Sequence, residues 1–242
     1  MVCAMTDISV RGLTKRFGRV TAVRDATFDV PAGQVTGFLG PNGAGKTTTL
    51  RMILGLVAPS AGSATIGGTA YAALGTPRRA VGAVLEATGF HPGRTGRDHV
   101  RIAAHSAGFG SARADEVLAQ VGLSENAGRR VRTYSLGMRQ RLGLATALVG
   151  DPAVLILDEP GNGLDPAGMA WLRDELRRFA AAGRTVLISS HLLAEAAQTV
   201  DRVVVMAAGT VRYAGGLDEL AGAGSLEDAF LDLTTEEAAG VR

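Results

Sequence analysis

Gly40-Pro41-Asn42-Gly43-Ala44-Gly45-Lys46-Thr47 is the stretch on which the reading of this chain turns. It has the form G-x-x-x-x-G-K-[ST], preceded by an unalternating apolar run, Val35–Leu39, and followed by a helical stretch over residues 46–56. A strand that feeds a glycine-rich turn and then a helix is the context in which this pattern carries physical meaning. The glycines let the backbone turn successive N–H groups inward. The following helix directs its positive end at the same point, so the segment is suited to cradle phosphates. Lys46 would reach β- and γ-phosphates, the Thr47 hydroxyl would ligate Mg²⁺, and Thr48 would help to hold an α-phosphate. On this motif alone kinases, GTPases and motors all stay open.

Further apolar runs lie at residues 8–10, 81–85, 154–157, 185–188 and 203–206, several of them β-branched and without alternation. Runs of this kind suit strands covered on both faces, as in a parallel sheet. Helical stretches such as 169–180 stand between them, so the expected class is α/β. From 87 to 150 the strand signal vanishes and the text becomes helical, punctuated at Gly89, Gly93, Gly108, Gly122 and Gly128. The expected organisation is therefore one domain: a catalytic α/β core from 1–86 and 151–215, an inserted helical subdomain at 87–150, and a C-terminal tail at 216–242.

With 242 residues, 46% of them hydrophobic, the chain can bury a substantial core. The 25 Lys and Arg are nearly balanced by 23 Asp and Glu, which gives a net charge of +2 and no nucleic-acid face. One cysteine, Cys3, leaves no disulfide framework or cysteine metal site and fits a reducing compartment. Residues 1–10 contain Asp7 and lack a basic start and a long apolar stretch, so no secretory signal is expected. The longest uncharged stretch, 52–77, is interrupted by Gly55, Pro59, Gly62, Gly67, Gly68 and Gly75, which excludes a transmembrane helix there.

Val154-Leu155-Ile156-Leu157-Asp158-Glu159 sets two carboxylates directly after an apolar strand, at the edge where open α/β sheets bind ligands. An ordinary strand end can look the same; downstream of a phosphate cradle the pair reads as chemistry. Asp158 is the candidate for the Mg²⁺ shell, and Glu159 the candidate general base for an attacking water. The run 185–188 delivers Ser189, Ser190 and His191 to a sheet edge, and His191 reads as a γ-phosphate sensor that also positions water. Glu159, His191 and Lys46 are thus the candidate catalytic residues.

Tyr134-Ser135-Leu136-Gly137-Met138-Arg139-Gln140 stands just upstream of the carboxylate strand. With that order of motifs the chain resembles the nucleotide-binding subunits of ABC transporters, over nearly its whole length, from about residue 8 to 215. The resemblance implies a P-loop NTPase core of RecA-like parallel sheet, with an N-terminal antiparallel β portion and an inserted helical subdomain. It implies that Ser135, Gly137 and Gln140 bind the γ-phosphate of ATP held by an opposite subunit. Physically, Ser135 and the Gly137 N–H at a helix N-terminus are suitable anion donors. Gly163-Leu164-Asp165-Pro166 looks like the family's D-loop at the dimer seam, with Asp165 near the nucleotide, and His191 matches its switch histidine. Phe17 occupies the place where these proteins stack an aromatic ring on adenine.

The resemblance further implies ATP and Mg²⁺, a second ATPase subunit in a homodimer, and a separate integral-membrane permease. Location would be cytoplasmic, peripheral on the membrane through that permease, which meets residues 90–98. Three residues depart from the usual pattern: Leu136 stands where glycine is usual, Phe17 replaces tyrosine, and Glu86, a candidate Mg²⁺ ligand, replaces the Q-loop glutamine. The Ser-Leu-Gly-Met signature, the acidic Q-loop and the tail at 225–234 are similar to the bacterial branch that exports drugs, bacitracin and lantibiotics. The rival readings are an ABC ATPase without a permease and a non-hydrolysing regulatory module.

Overall fold

The computed structural model describes residues 7–85, 89–222 and 225–235. In chain order its helices and strands are β1 (Ile8–Phe17), β2 (Val20–Val30), β3 (Val35–Leu39), α1 (Lys46–Ile53), β4 (Ala61–Ile66), α2 (Pro77–Ala80), β5 (Val81–Val84), α3 (Gly96–Ser106), α4 (Ser111–Gln120), α5 (Leu136–Leu148), β6 (Val154–Asp158), α6 (Pro166–Ala181), β7 (Thr185–Ser190), α7 (Leu193–Ala197), β8 (Arg202–Ala207), β9 (Thr210–Gly216), α8 (Leu217–Ala221) and α9 (Leu226–Thr235). They fall into two compact units, Met1–Leu74 with Glu175–Arg242, and Gly75–Asp174. The alternation of strand and helix places the protein in the α/β class, with parallel and antiparallel pairings together.

In the first unit β1 pairs antiparallel with both β2 and β4, forming a three-stranded sheet in the order β2-β1-β4. Strand β3 is completely buried and pairs parallel with β7 on one side and β8 on the other. Its largely apolar, unalternating text follows from that double coverage, with Thr36 the one polar residue in it. An antiparallel strand, β9, closes the β8 edge. The ring of Phe28 on β2 meets that of Phe38 on β3, with centroids 5.4 Å apart and planes tilted by 35°. Such a pair contributes about 0.5–1.5 kcal/mol beyond its buried area. Strand β2 alternates buried and exposed residues over its second half, the signature of a half-covered antiparallel strand.

The second unit carries the parallel pair β5–β6 and helices α2, α3, α4 and α5. Gly143 of α5 lies against Val84 of β5, so the helix approaches that strand closely. Three arginines tie off helix C-termini. Arg79 Nε donates to Ala107 O after α3 at 3.0 Å, and Arg141 Nη1 to Val121 O after α4 at 3.0 Å. Arg113 reaches Val149 O and Leu148 O at the end of α5, at 3.0 and 2.9 Å. Each guanidinium satisfies carbonyls without an intrahelical partner and opposes the negative end of the helix dipole. At the start of α3 the Thr95 hydroxyl accepts from Asp98 N–H at 3.0 Å and donates to the Asp98 carboxylate at 2.6 Å. Residues 92–96 are held to 129–132 by main-chain bonds: Arg132 N to Pro92 O, Val131 N to Arg94 O, and Gly96 N to Arg129 O.

His99 of α3 stands edge-on to the Phe90 ring, centroids 4.9 Å apart. Burial, and then the charge of Arg94, hold its pKa below the ordinary 6.5. Folding therefore favours the neutral imidazole. Its contribution is fully present above the unfolded value of 6.5 and is lost as pH falls through the lower, folded value. The thermal midpoint should accordingly drop as pH is lowered below about 6.5, and His99→Leu should flatten that drop in a pH series of melting curves. An equal drop in the variant would show that His99 is not its source.

Candidate functional site

The loop of residues 40–45 leaves the carboxyl end of β3 and runs into α1. Gly40 has φ 153, and a Cβ there would sit on the Met206 carbonyl oxygen of β8, so only glycine allows the approach. The turn after β8 braces the loop from the other side: Gly209 N–H donates to Ala44 O at 3.0 Å and Arg24 N–H to Gly209 O at 2.7 Å. Gly45, at φ 105, is the N-cap of α1 and, being glycine, offers no side-chain oxygen there. Lys46 is buried, with Nζ donating to Gly40 O at 2.7 Å and Pro41 O at 3.2 Å. Its ammonium is thus folded into the mouth of the loop, while Thr47 and Thr48 follow in the first turn, both half-buried. A glycine-rich loop that leads into a helix N-terminus, with a lysine ammonium at its mouth, is suited to phosphate.

His191 reaches the same edge. The β3–β7 register pairs Leu39 with Ser190, so Gly40 and His191 each lie one residue beyond the end of that ladder. Ser190 Oγ, accepting from Leu192 N–H at 3.0 Å, shapes the turn that carries the histidine. Phe17 ends β1 and is 52% exposed, and Lys15 Nζ is 5.0 Å from its ring centroid.

In the second unit the β5–β6 register pairs Val84 with Leu157, so Asp158 and Glu159 emerge at the carboxyl edge of that strand pair. Glu159 has φ 50, a left-handed conformation that costs a side-chain-bearing residue energy and that surrounding structure must enforce. The turn that follows is closed by Asn162 N–H on Glu159 O at 3.2 Å. Asp165 Oδ1 accepts from Gly168 N–H at 2.8 Å, capping α6 where Pro166 opens it. Ser135 caps α5, its Oγ accepting from Met138 N–H at 3.2 Å. Tyr134 anchors that turn from below: it is buried, its hydroxyl donates to Asn126 O at 2.7 Å, and burial raises its pKa above the ordinary 10.0 against the opposing charge of Arg129. Gln140, one turn along α5, donates from Nε2 to Asn162 O at 3.2 Å.

The structure thus places a glycine-rich loop after a buried parallel strand, a carboxylate pair at a strand end and a serine-capped helix, and comparison with known proteins identifies the family. The model of a family described as ABC transporter matches residues 23–162, more than half of the chain. The chain belongs to the ABC transporter family, as an ATP-binding subunit. An uncharacterized ABC transporter ATP-binding protein of Bacillus subtilis (strain 168), YdbJ, is 41% identical over 208 residues, covering 85% of this chain and 68% of its own. The bacitracin transport ATP-binding protein BcrA of Bacillus licheniformis is 42% identical over 204 residues, covering 83% and 67%. The lantibiotic transport ATP-binding protein SrtF of Streptococcus pyogenes is 34% identical over 194 residues, covering 80% and 84%. A solved structure titled as that of the ATP binding subunit of an ABC transporter superposes with TM-score 0.86 at 29% identity, covering 94% of this chain and 99% of that one.

Within this ABC subunit the expected site residues divide between the two units. Phe17, Gly40 to Thr48 and His191 stand on the first; Ser135, Gly137, Gln140, Asp158, Glu159 and Asp165 stand on the second. Glu86 lies outside the described residues. Sequence reasoning missed the bracing of the loop by Met206 and Gly209, and the seating of Leu136 against Gly163. No local signal announces either, because both partners are ordinary residues far away along the chain. Among the described residues no helix is long and apolar enough to cross a membrane.

Proposed function

We propose that this ABC subunit hydrolyses ATP in a dimer of ATPase subunits, each completing the other's pocket, and that the dimer drives export of a drug, antibiotic or peptide through a separate membrane permease. The observation that carries hydrolysis is Glu159, held at φ 50 immediately after Asp158 at the end of β6. A strained carboxylate at a ligand-binding edge is a place where structure has been shaped for chemistry. Glu159 accepts the proton of a water whose oxygen attacks the γ-phosphorus; the bond from that phosphorus to the β,γ-bridging oxygen breaks, and ADP and phosphate leave.

The other residues bind and orient. The loop Gly40, Pro41, Asn42, Gly43, Ala44 and Gly45 wraps the phosphates, Lys46 pairs with the β- and γ-oxygens, Thr48 supports the α-phosphate, and Phe17 stacks on adenine. His191 senses the γ-phosphate and holds the water. Ser135, Gly137, Gln140 and Asp165 serve the nucleotide of the opposite subunit. Thr47 and Asp158 offer a hydroxyl and a carboxylate, the hard oxygen donors Mg²⁺ takes, with Glu86 as a further one; the bound ion would neutralise phosphate charge. Residues 90–98 are the permease contact. Export is supported by the names of the bacitracin and lantibiotic relatives.

The test is reconstitution with a membrane permease sought among the neighbouring reading frames, where a protein of about six apolar helices, each of about 20 residues, is expected. MgATP should release phosphate, and the pair should co-purify from membranes. Phosphate release with no membrane protein co-purifying would favour an ABC ATPase that works alone, and no phosphate release with or without the permease would remove the hydrolase reading.

A further inference from the structure

Leu136, the first residue of α5, is an apolar side chain left 49% exposed beside the serine cap. It is seated on Gly163. A Cβ at Gly163 would collide with Leu136 Cδ2 and lie 2.6 Å from its Cγ and 3.3 Å from its Cβ. Gly163 also has φ 78, so the position is reserved for glycine by backbone as well as by space. The missing side chain makes a notch, and Leu136 fills it.

Two neighbouring contacts run in the same sense. A Cβ on Gly137 would lie 3.4 Å from Leu164 Cδ2, and Gln140 Nε2 bonds to Asn162 O. Three consecutive loop residues, 162–164, therefore meet the first turns of α5. The loop is itself pinned at both ends, by Asn162 N–H on Glu159 O and by the Asp165 cap on Gly168 N–H. The turn carrying Ser135 and Gly137 is thereby connected, contact by contact, to the residue carrying the carboxylate.

We propose that Leu136 is a positioning residue: locked into the Gly163 notch, it fixes the Ser135–Gly137 turn to the 159–165 loop so that the two are carried as one body. The proposal rests on the reading of that turn as a nucleotide contact. Since the turn would serve the opposite pocket and Glu159 its own, the lock makes the geometry of one pocket depend on the other.

Four variants test it: Gly163→Ala fills the notch, Leu136→Ala empties it, the double variant removes the overlap, and Leu136→Met keeps the notch occupied. Gly163→Ala and Leu136→Ala should each lower kcat about tenfold or more, with nucleotide affinity of the isolated subunit changed less than twofold, because the Lys46 loop is untouched; a tenfold loss corresponds to 1.4 kcal/mol. Adding Leu136→Ala to Gly163→Ala should recover part of the loss, and Leu136→Met, which can refill the notch, should stay within about threefold of wild type. Wild-type kcat in Leu136→Ala, or a double variant as slow as the product of the two single losses, would overturn the lock.

Trp171, the one tryptophan in the sequence, gives a second readout. Its ring lines a small apolar pocket together with Gln140, Pro160 and Leu164, and Arg141 stands 4.0 Å over the ring. Its emission maximum should shift in Gly163→Ala and return in the double variant; an unshifted maximum in Gly163→Ala would count against the lock. If the wild-type protein hydrolyses no ATP, the proposed function fails, and the emission series still decides whether Leu136 and Gly163 are coupled.

Discussion

Glu159→Gln should bind ATP normally, turn it over at least 10²–10³ times more slowly than wild type, and accumulate as a nucleotide-bound dimer. The amide is close in size to the carboxylate and keeps the same backbone, so the left-handed turn at φ 50 and the Asn162 bond to Glu159 O should survive. What is lost is the basic oxygen. General-base catalysis by a positioned side chain contributes about 10²–10⁴ in rate, and this residue stands directly after the Asp158 strand end. Binding is unimpaired because the phosphate cradle lies on other residues, and removing one negative charge near the γ-phosphate favours retention of ATP. If ATP bridges two subunits, the closed pair can no longer discharge. Single-turnover phosphate release and size-exclusion chromatography with MgATP would check both halves of this expectation; wild-type turnover would remove Glu159 from its role, and a strictly monomeric variant would remove the shared pocket.

Lys46→Ala should lose affinity and hydrolysis together, with ATP binding weakened by about 10–100-fold, the range expected for a charge-assisted hydrogen bond of roughly 1.5–3 kcal/mol. Lys46 is buried, and its ammonium lies on the carbonyls of Gly40 and Pro41 in the mouth of the loop. Truncation removes the positive charge and leaves the backbone donors, so the deficit should fall on the β- and γ-phosphates, and affinity for AMP should change little. The steric shape of the loop depends on Gly40 against Met206, which the substitution does not touch, so the protein should fold. Isothermal titration with ATP, ADP and AMP would measure the pattern. Unchanged ATP affinity would contradict the assignment of that side chain to phosphate.

The parallel strands were legible because burial on both faces forces a continuous apolar text, and β3, β5, β6, β7 and β8 stand at the runs read from it, within a residue or two at each end. Strands β2, β4 and β9 were not. Their residues mix buried and exposed positions, as antiparallel or edge strands do, and such short mixed runs are hard to tell from loop. Helix ends were partly legible: α1 stops at Ile53, before the expected 56, because Gly55 takes φ 65 just beyond it. The cap at Ser135 and the Asp165-Pro166 start of α6 follow ordinary capping chemistry and could be read locally.

By itself, then, the order of residues determined the α/β class, the glycine-rich loop, the carboxylate pair at a strand end, the serine-capped turn and the family to which they belong. These are properties of contiguous stretches, where spacing and residue type carry the chemistry. Only the tertiary structure decided that Met206 and Gly209 brace the loop, that Ser190 and Leu39 align so that His191 follows the same edge, that Glu159 is strained, and that Leu136 rests in a notch left by Gly163. Each of those depends on register or on side chains brought together from distant segments, which packing sets and no local pattern encodes.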